Sequence, residues 1–387
     1  MNRTLAVFIA LLMTTVSLAG CIGGNGDDDG DEVMNDVDLC PLTPTGEAVD
    51  TDGCSQSQLD DDGDLVMNNL DLCPLTPTGE TVDTDGCSWT QLDDDGDGVA
   101  NGVDICSLTP TGETADADGC HGGSVVAWGE YAWNYGNDTS TASSDLSSRV
   151  IEIFSTNTAF AALKSDGSVA VWGYSPGAGD CNPAWNDTSW TSVCSDLSSE
   201  VIKIFSTYYS FAALKSDGSV VTWGDEVYGG DSSSVSSELS SGVIEIFSTG
   251  DDHTSKAFAA LKSDGSVVTW GYQYSGGDSS SVSSDLSSGV TQIFSCFGGF
   301  AALKSDGSVV TWGGPVVDSS SVSAELSSGV VDIISTDYAF AALKSDGSVV
   351  TWGEAIYGSD SSSVSSALSS GVIQIFSNKY SFAAIIE

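Results

Sequence analysis

The segment ALKSDGSVVTWG, with at most two substitutions, recurs five times. Each copy has a phenylalanine twelve positions ahead of its tryptophan: Phe160 and Trp172, Phe211 and Trp223, Phe258 and Trp270, Phe300 and Trp312, Phe340 and Trp352. Short apolar runs on either side of Ser-Asp-Gly predict a hairpin, because Gly takes the positive φ of a tight turn without a Cβ clash. A third apolar run such as VIEIFST or VVDIIST precedes each hairpin, and LSSGV or a close variant introduces that run. The unit is therefore a small antiparallel sheet, repeated at intervals of 40 to 51 residues.

β-repeats of that length are the blades of a propeller. The region opens on the second half of a hairpin, GGSVVAWG at 122–129, and reaches the first half of another, SFAAIIE, at 381–387. Joining the two halves gives a sixth unit, marked by Trp128. The expected fold of residues 121–387 is therefore all-β, a six-bladed β-propeller. The recurrent Phe and Trp read as core, the Lys of KSDG as a solvated turn residue, and the DSSSVSS segments as polar connecting loops.

A second periodicity precedes the first. LDDDGDGVANGVDIC at 92–106 repeats LDDDGDLVMNNLDLC 33 residues earlier and DDDGDEVMNDVDLC 33 before that. The chain carries a net charge of -45, and residues 22–120 hold 26 of its 55 acids with no Lys or Arg. A segment of this kind repels itself unless cations hold it together, and it lacks the basic footprint that nucleic acid requires. Numbered from Asp93, the loop has Asp93, Asp95 and Asp97 at positions 1, 3 and 5, Gly98 at 6, Asn101 at 9 and Asp104 at 12. That is the oxygen pattern of a twelve-residue calcium loop, with the Val99 carbonyl at position 7. The earlier copies supply Asp60, Asp62, Asp64, Asn68 and Asp71, and Asp27, Asp29, Asp31, Asn35 and Asp38. They carry Leu65 and Glu32 where the turn prefers Gly, so the third loop is expected to bind best. Each loop runs directly into a Cys followed by Pro or Ser instead of a helix. With so little apolar content, the region is expected to fold only as metal binds.

These aspartate loops with cysteines at C-x13-C spacing resemble thrombospondin type 3 repeats over residues 27–120. The resemblance implies calcium as the cofactor and little regular secondary structure. It also implies a second ion at Asp50 and Asp52, Asp83 and Asp85, and Asp116 and Asp118, where this sequence has fewer aspartates than the family pattern.

The first residues, MNRTLAVFIALLMTTVSLAGC, form an export signal with a basic Arg3 and a short apolar stretch. Leu18-Ala19-Gly20-Cys21 resembles the lipobox of prokaryotic lipoproteins. That implies a signal peptide at 1–20, lipid on Cys21, a tether at 21–26 and a membrane anchor made of lipid alone. An exported protein favours disulfides among Cys40, Cys54, Cys73, Cys87, Cys106, Cys120, Cys181 and Cys194. Pairing within each repeat is one connectivity and Cys54 to Cys73 is an alternative. Cys296, beside an apolar strand, reads as a buried thiol.

The β-units, with GV-x-x-I ahead of ALKSDGSVVTWG, resemble repeats of the regulator of chromosome condensation type. They depart from these in blade number and in having Phe where a His usually precedes the hairpin. Function is expected where the repeat spacing varies. The loops after each Trp-Gly carry Tyr131, Trp133, Tyr135, Tyr174, Trp185, Trp190, Tyr228, Tyr272, Tyr274 and Tyr357. Aromatics on one set of loops suit an extracellular protein or glycan ligand. Enzymatic activity is not expected. The two histidines lie at a junction (His121) and in GDDHTSKA, where Asp251, Asp252 and His253 form no catalytic motif. The resulting picture is a cell-surface, lipid-anchored, calcium-binding protein with a recognition module. The alternatives are an inhibitor of a secreted enzyme and a propeller hydrolase.

Overall fold

A computed structural model describes residues 26–129, 144–173, 193, 195–249 and 256–387. They fall into two compact units, one of Met1–Asp94 with Ala100–Val103 and one of Asp95–Val99 with Asp104–Glu387.

The first unit has no long strand or helix among its described residues. It is built of turns, with single antiparallel bridges between Val49 and Ser55 and between Val82 and Ser88. Disulfides Cys40–Cys54 and Cys73–Cys87 close its two repeats, and Cys106–Cys120 closes the third, in the second unit. Pairing is thus within each repeat. Cross-links 14 residues apart each restrict the unfolded chain by roughly 3 kcal/mol in the chain-entropy model. They stand in for an apolar core: Leu42, Leu65, Leu75 and Leu108 are all more than four-fifths exposed.

The second unit is all-β, with six antiparallel sheets. The first is β1 (Val150–Ser155), β2 (Ala159–Lys164) and β3 (Val169–Gly173); the second is β4 (Val201–Ser206), β5 (Ser210–Lys215) and β6 (Val220–Gly224). The third is β7 (Val243–Ser248), β8 (Ala257–Lys262) and β9 (Val267–Gly271); the fourth is β10 (Val290–Cys296), β11 (Gly299–Lys304) and β12 (Val309–Gly313). The fifth is β13 (Val330–Ser335), β14 (Ala339–Lys344) and β15 (Val349–Gly353); the sixth is the pair β16 (Val372–Ser377) and β17 (Phe382–Ile386).

Register follows the repeat. Each hairpin Phe lies opposite its Trp, with rings stacked at centroid distances of 5.0 to 5.2 Å. The first strand of every sheet shifts register at its second residue; in the second to sixth sheets residues two and three point outward and the fourth, such as Ile204, Ile246 or Ile333, lies in the core, whereas Ile153 of β1 is exposed. Sheets then pack face to face: Ala159, Ala161 and Leu163 of one meet Ile204, Phe211 and Trp223 of the next. The small Ala of each central strand lets the neighbouring Trp approach. Trp270 and Trp312 donate their ring N–H to Gly229 and Gly276 in the preceding loop, at 3.0 and 3.1 Å. Trp352 follows a loop two residues shorter, and its buried N–H has no partner.

The Ser-Asp-Gly turns join successive sheets. Gly218, at φ 78°, accepts the N–H of Val243, and a Cβ on it would lie 2.7 Å from the Gly242 nitrogen. Only glycine fits there, for conformation and for space. The lysine before the turn is not simply solvated, as expected from sequence. Lys262, Lys304 and Lys344 each donate to a backbone carbonyl of the segment that leads into the first strand of their own sheet, Glu238, Asp285 and Glu325, at 2.5 to 2.6 Å. The long side chain lets a charged ammonium hydrogen-bond to a backbone carbonyl, a stronger bond than a neutral donor makes.

The expected joining of 122–129 to 381–387 is not formed in this structure. Gly123 bridges to Val150, Val125 donates to the Leu146 carbonyl, and Trp128 is 86% exposed. The contacts that 122–129 does make are those of the repeat: Val150 donates to Gly123 as Val201 donates to Gly167, and Val125 donates to Leu146 as Val169 donates to Leu197.

Candidate cation sites and an aromatic loop face

In the first acidic loop, Asp27 organises the turn: its carboxylate accepts the N–H groups of Gly30, Asp31 and Glu32 at 2.7 to 3.2 Å. Asp60 does the same for Gly63 and Leu65. The next acids each use one oxygen on the backbone. Asp29 accepts from Thr43, Asp31 from Val33 and Asp38 from Cys40 at 2.7 to 2.8 Å. Asp62, Asp64 and Asp71 repeat these bonds. The other oxygens are left over. Asp29 Oδ1, Asp31 Oδ2, Asp38 Oδ2, Asp62 Oδ1 and Asp64 Oδ2 are buried with no hydrogen-bond partner, and so is Asp97 Oδ2 in the second unit.

Ligand oxygens of Asp27, Asp29 and Asp31 lie within 4.8 Å of one another, as do those of Asp60, Asp62 and Asp64. At such a separation each carboxylate pair repels by roughly 3 kcal/mol at an effective dielectric of about 20. Buried acceptors close together and without hydrogen-bond partners fit a hard cation with oxygen ligands. The glycines hold them in place: a Cβ on Gly53 would lie 2.9 Å from the Asp38 carboxyl carbon and 3.3 Å from Asp31 Oδ2.

The asparagines at position 9 are placed differently from the sequence expectation of simple ligands. Asn35, Asn68 and Asn101 accept the N–H of Asp28, Asp61 and Asp94 through their amide oxygen at 3.0 to 3.1 Å, leaving that oxygen one lone pair. Their first task is to close the loop. Asp93 and Asn101 belong to the first unit, and Asp95, Asp97 and Asp104 to the second. There Asp95 accepts from Thr109, Asp97 from Val99 and Asp104 from Cys106. Glu32 and Leu65 adopt φ of 75° and 78°, the left-handed conformation that Gly98 takes freely.

Of the aromatic candidates, Tyr131, Trp133, Tyr135, Tyr174, Trp185 and Trp190 lie outside the described residues, as do Cys21, Cys181, Cys194, Asp251, Asp252 and His253. The remaining four are joined by neighbours that the sequence reading missed. Tyr209 stands edge-on to Tyr208 at 4.4 Å and to Tyr228 at 5.0 Å. Lys256 sits over the rings of Tyr228 and Tyr272, and Tyr272 meets Tyr274 edge-on at 5.6 Å. A second run links Phe297, Tyr338, Tyr357 and Tyr380 at 4.3 to 5.8 Å. Burial raises the Tyr228 phenol above its ordinary value, and the nearby Tyr209, Asp225 and Tyr272 add to this. All these residues flank the end of the sheets where Phe faces Trp. The missed signal was an aromatic just before the central strand, as in STYYS and STDYA. Tyr274, Tyr380, Val227 and Ile356 on these loops are 55 to 82% exposed.

Among solved structures, the chain is similar to human WBSCR16 at 16% identity and a TM-score of 0.33, over 62% of this chain and 67% of that one. It is also similar to the ectodomain of the Physcomitrella patens receptor kinase CR4 at 14% identity and 0.32, over 59% and 56%. A third similarity is to yeast RCC1 (Prp20), solved with Kap60, at 14% and 0.32, over 53% and 56%. The chain spans little more than half the length of the last two. A comparison with curated proteins found no match. The family model of the thrombospondin type 3 repeat matches residues 20–47, 50–80 and 83–113. These three segments match the thrombospondin type 3 repeat, and the aspartate triplets within them could hold ions.

Proposed function

We propose that this chain is an exported recognition protein: a lipid-anchored stalk, stiffened by calcium, that carries a β-sheet module whose aromatic loops bind an extracellular protein or glycan. The observation that carries the calcium half is the set of buried, unpartnered carboxylate oxygens at Asp29, Asp31, Asp38, Asp62, Asp64 and Asp97. Asp27, Asp29, Asp31 and Asp38, with their counterparts Asp60 to Asp71 and Asp93 to Asp104, would hold one ion per loop, and calcium would supply the positive charge that lets the acids share a turn. Three disulfides agree with an oxidising, extracellular setting.

The binding half is supported by the exposed Tyr and apolar residues of one loop face, which are costly to leave in water without a partner. Binding is the activity proposed, with no catalytic step. The test is capture on protein and glycan arrays in millimolar calcium, using the full chain and a variant with Tyr228, Tyr272 and Tyr357 changed to Ser. Capture lost in the variant supports the aromatic face, whereas equal capture by both proteins removes it.

A further inference from the structure

Residues 22–120 contain no Lys or Arg, and the first Lys or Arg after them is Arg149. Its backbone has φ 67°, at a position where four of the six repeats have glycine: Gly242, Gly289, Gly329 and Gly371, at φ 77° to 79°. A non-glycine residue is strained there, and the side chain of Arg149 makes contacts that offset the strain. Its guanidinium donates from Nε to Asp116 Oδ2 at 2.8 Å and from Nη2 to Asp118 Oδ2 at 2.5 Å, with Nη1 3.7 Å from Asp166 of the first Ser-Asp-Gly turn. The side chain is 20% exposed. The backbone joins at the same point, because Gly123 and Val150 exchange both hydrogen bonds and a Cβ on Gly122 would lie 2.6 Å from the Arg149 carbonyl carbon.

The earlier repeats are fastened differently. Gln58 accepts from Thr43 Oγ1 at 2.8 Å and Ser57 donates to Glu47 at 2.6 Å; Gln91 accepts from Thr76 and Thr90 donates to Glu80 in the second repeat. These partners come from the start of the following unit. Thirty-three positions on, Gly123 and Ser124 stand where Thr90 and Gln91 stood. Gly123 has no side chain to replace the Thr90 contact. Asp52 and Asp85, the counterparts of Asp118, have no basic residue in their region at all.

We propose that Arg149 is the fastening of the third repeat, a cation fixed in the chain that ties the acidic turn Asp116–Cys120 to the first β-sheet and keeps it folded when calcium is withdrawn. The planar fork meets two carboxylates at once, which a single ammonium cannot do. Asp116 Oδ1 already accepts from Asp118 and Cys120, and Cys120 is disulfide-bonded to Cys106, so the turn has protein partners throughout. Arg149 thus acts by positioning, and the inference is independent of any ligand of the aromatic face.

The experiment is amide hydrogen exchange on the full chain in calcium and in excess chelator, for the native protein and for Arg149→Gly. Glycine is native to this position in four other repeats, so the variant keeps its sheets, and unchanged exchange in peptides from β4 to β6 verifies this. In chelator, peptides covering 116–123 are expected to stay protected in the native chain and to exchange at least about ten-fold faster in the variant. Equal exchange of those peptides in the two proteins, or their loss of protection in the native chain on adding chelator, would overturn the proposal.

Discussion

At the scale of single residues, backbone conformation separates what the acidic loops tolerate from what they prefer. Leu65 and Glu32 hold φ near 75°, a conformation that costs an L-residue roughly 1–2 kcal/mol. Nothing lies within 4 Å of a Cβ at the neighbouring Gly63, so the loop is not crowded and strain is the main term. Leu65→Gly is therefore expected to raise the stability of the second repeat by about 1 kcal/mol, after allowing for the greater freedom of glycine when unfolded. Chelator titration followed by circular dichroism checks it. Cys296 presents the opposite case of a residue silenced by its surroundings. It is 3% exposed, and burial pushes its thiol up to about 11. A maleimide or disulfide reagent at pH 8 should leave it unmodified in the folded protein and label it within minutes in denaturant, because only the thiolate reacts.

At the scale of the element, the Ser-Asp-Gly turn does more than reverse the chain. In Gly218→Ala the new Cβ would meet the Gly242 nitrogen at 2.7 Å. We expect a loss of about 2 kcal/mol or more in the cooperative unfolding of the sheets, read by denaturant titration. The aspartate of the turn is the acid-sensitive part. Hydrogen bonds from Ser266 and Ser348, side chain first, hold Asp264 and Asp346 below the ordinary 3.8. A carboxyl whose folded pKa is depressed adds stability above its unfolded value and loses it as pH falls through the folded one. The unfolding temperature should be level above about pH 5 and fall below about pH 4, with a smaller fall in Asp264→Ala. Much of this element was legible in the sequence. The hairpins, the pairing of Phe with Trp and the repeat-internal spacing of Cys40 with Cys54 are local and periodic. What was not legible depends on the neighbouring repeat: the contact of Tyr228 with Tyr209 and with Lys256, that of Tyr338 with Phe297, and the side of Gly123 that meets Val150. Spacing within one repeat carries no information about which groups of the next stand opposite.

At the scale of the whole molecule, charge is the governing quantity. Against 55 acids the chain has ten Lys and Arg, and residues 22–120 have none. Five of the lysines stand at Ser-Asp-Gly turns, Arg149 grips the third repeat and Lys256 lies between two tyrosines. Almost no base is left to neutralise the aspartate loops, so the missing positive charge must come from solution. The measurement that tests this most directly is calorimetric titration of the disulfide-intact chain with calcium, with circular dichroism followed in parallel. The predicted result is saturable binding in the millimolar range or tighter, on the order of one ion or more per loop, with a change in the spectrum, and with binding weakened by Asp31→Asn and Asp64→Asn. Absence of binding at several millimolar calcium, or binding indifferent to those substitutions, would contradict it.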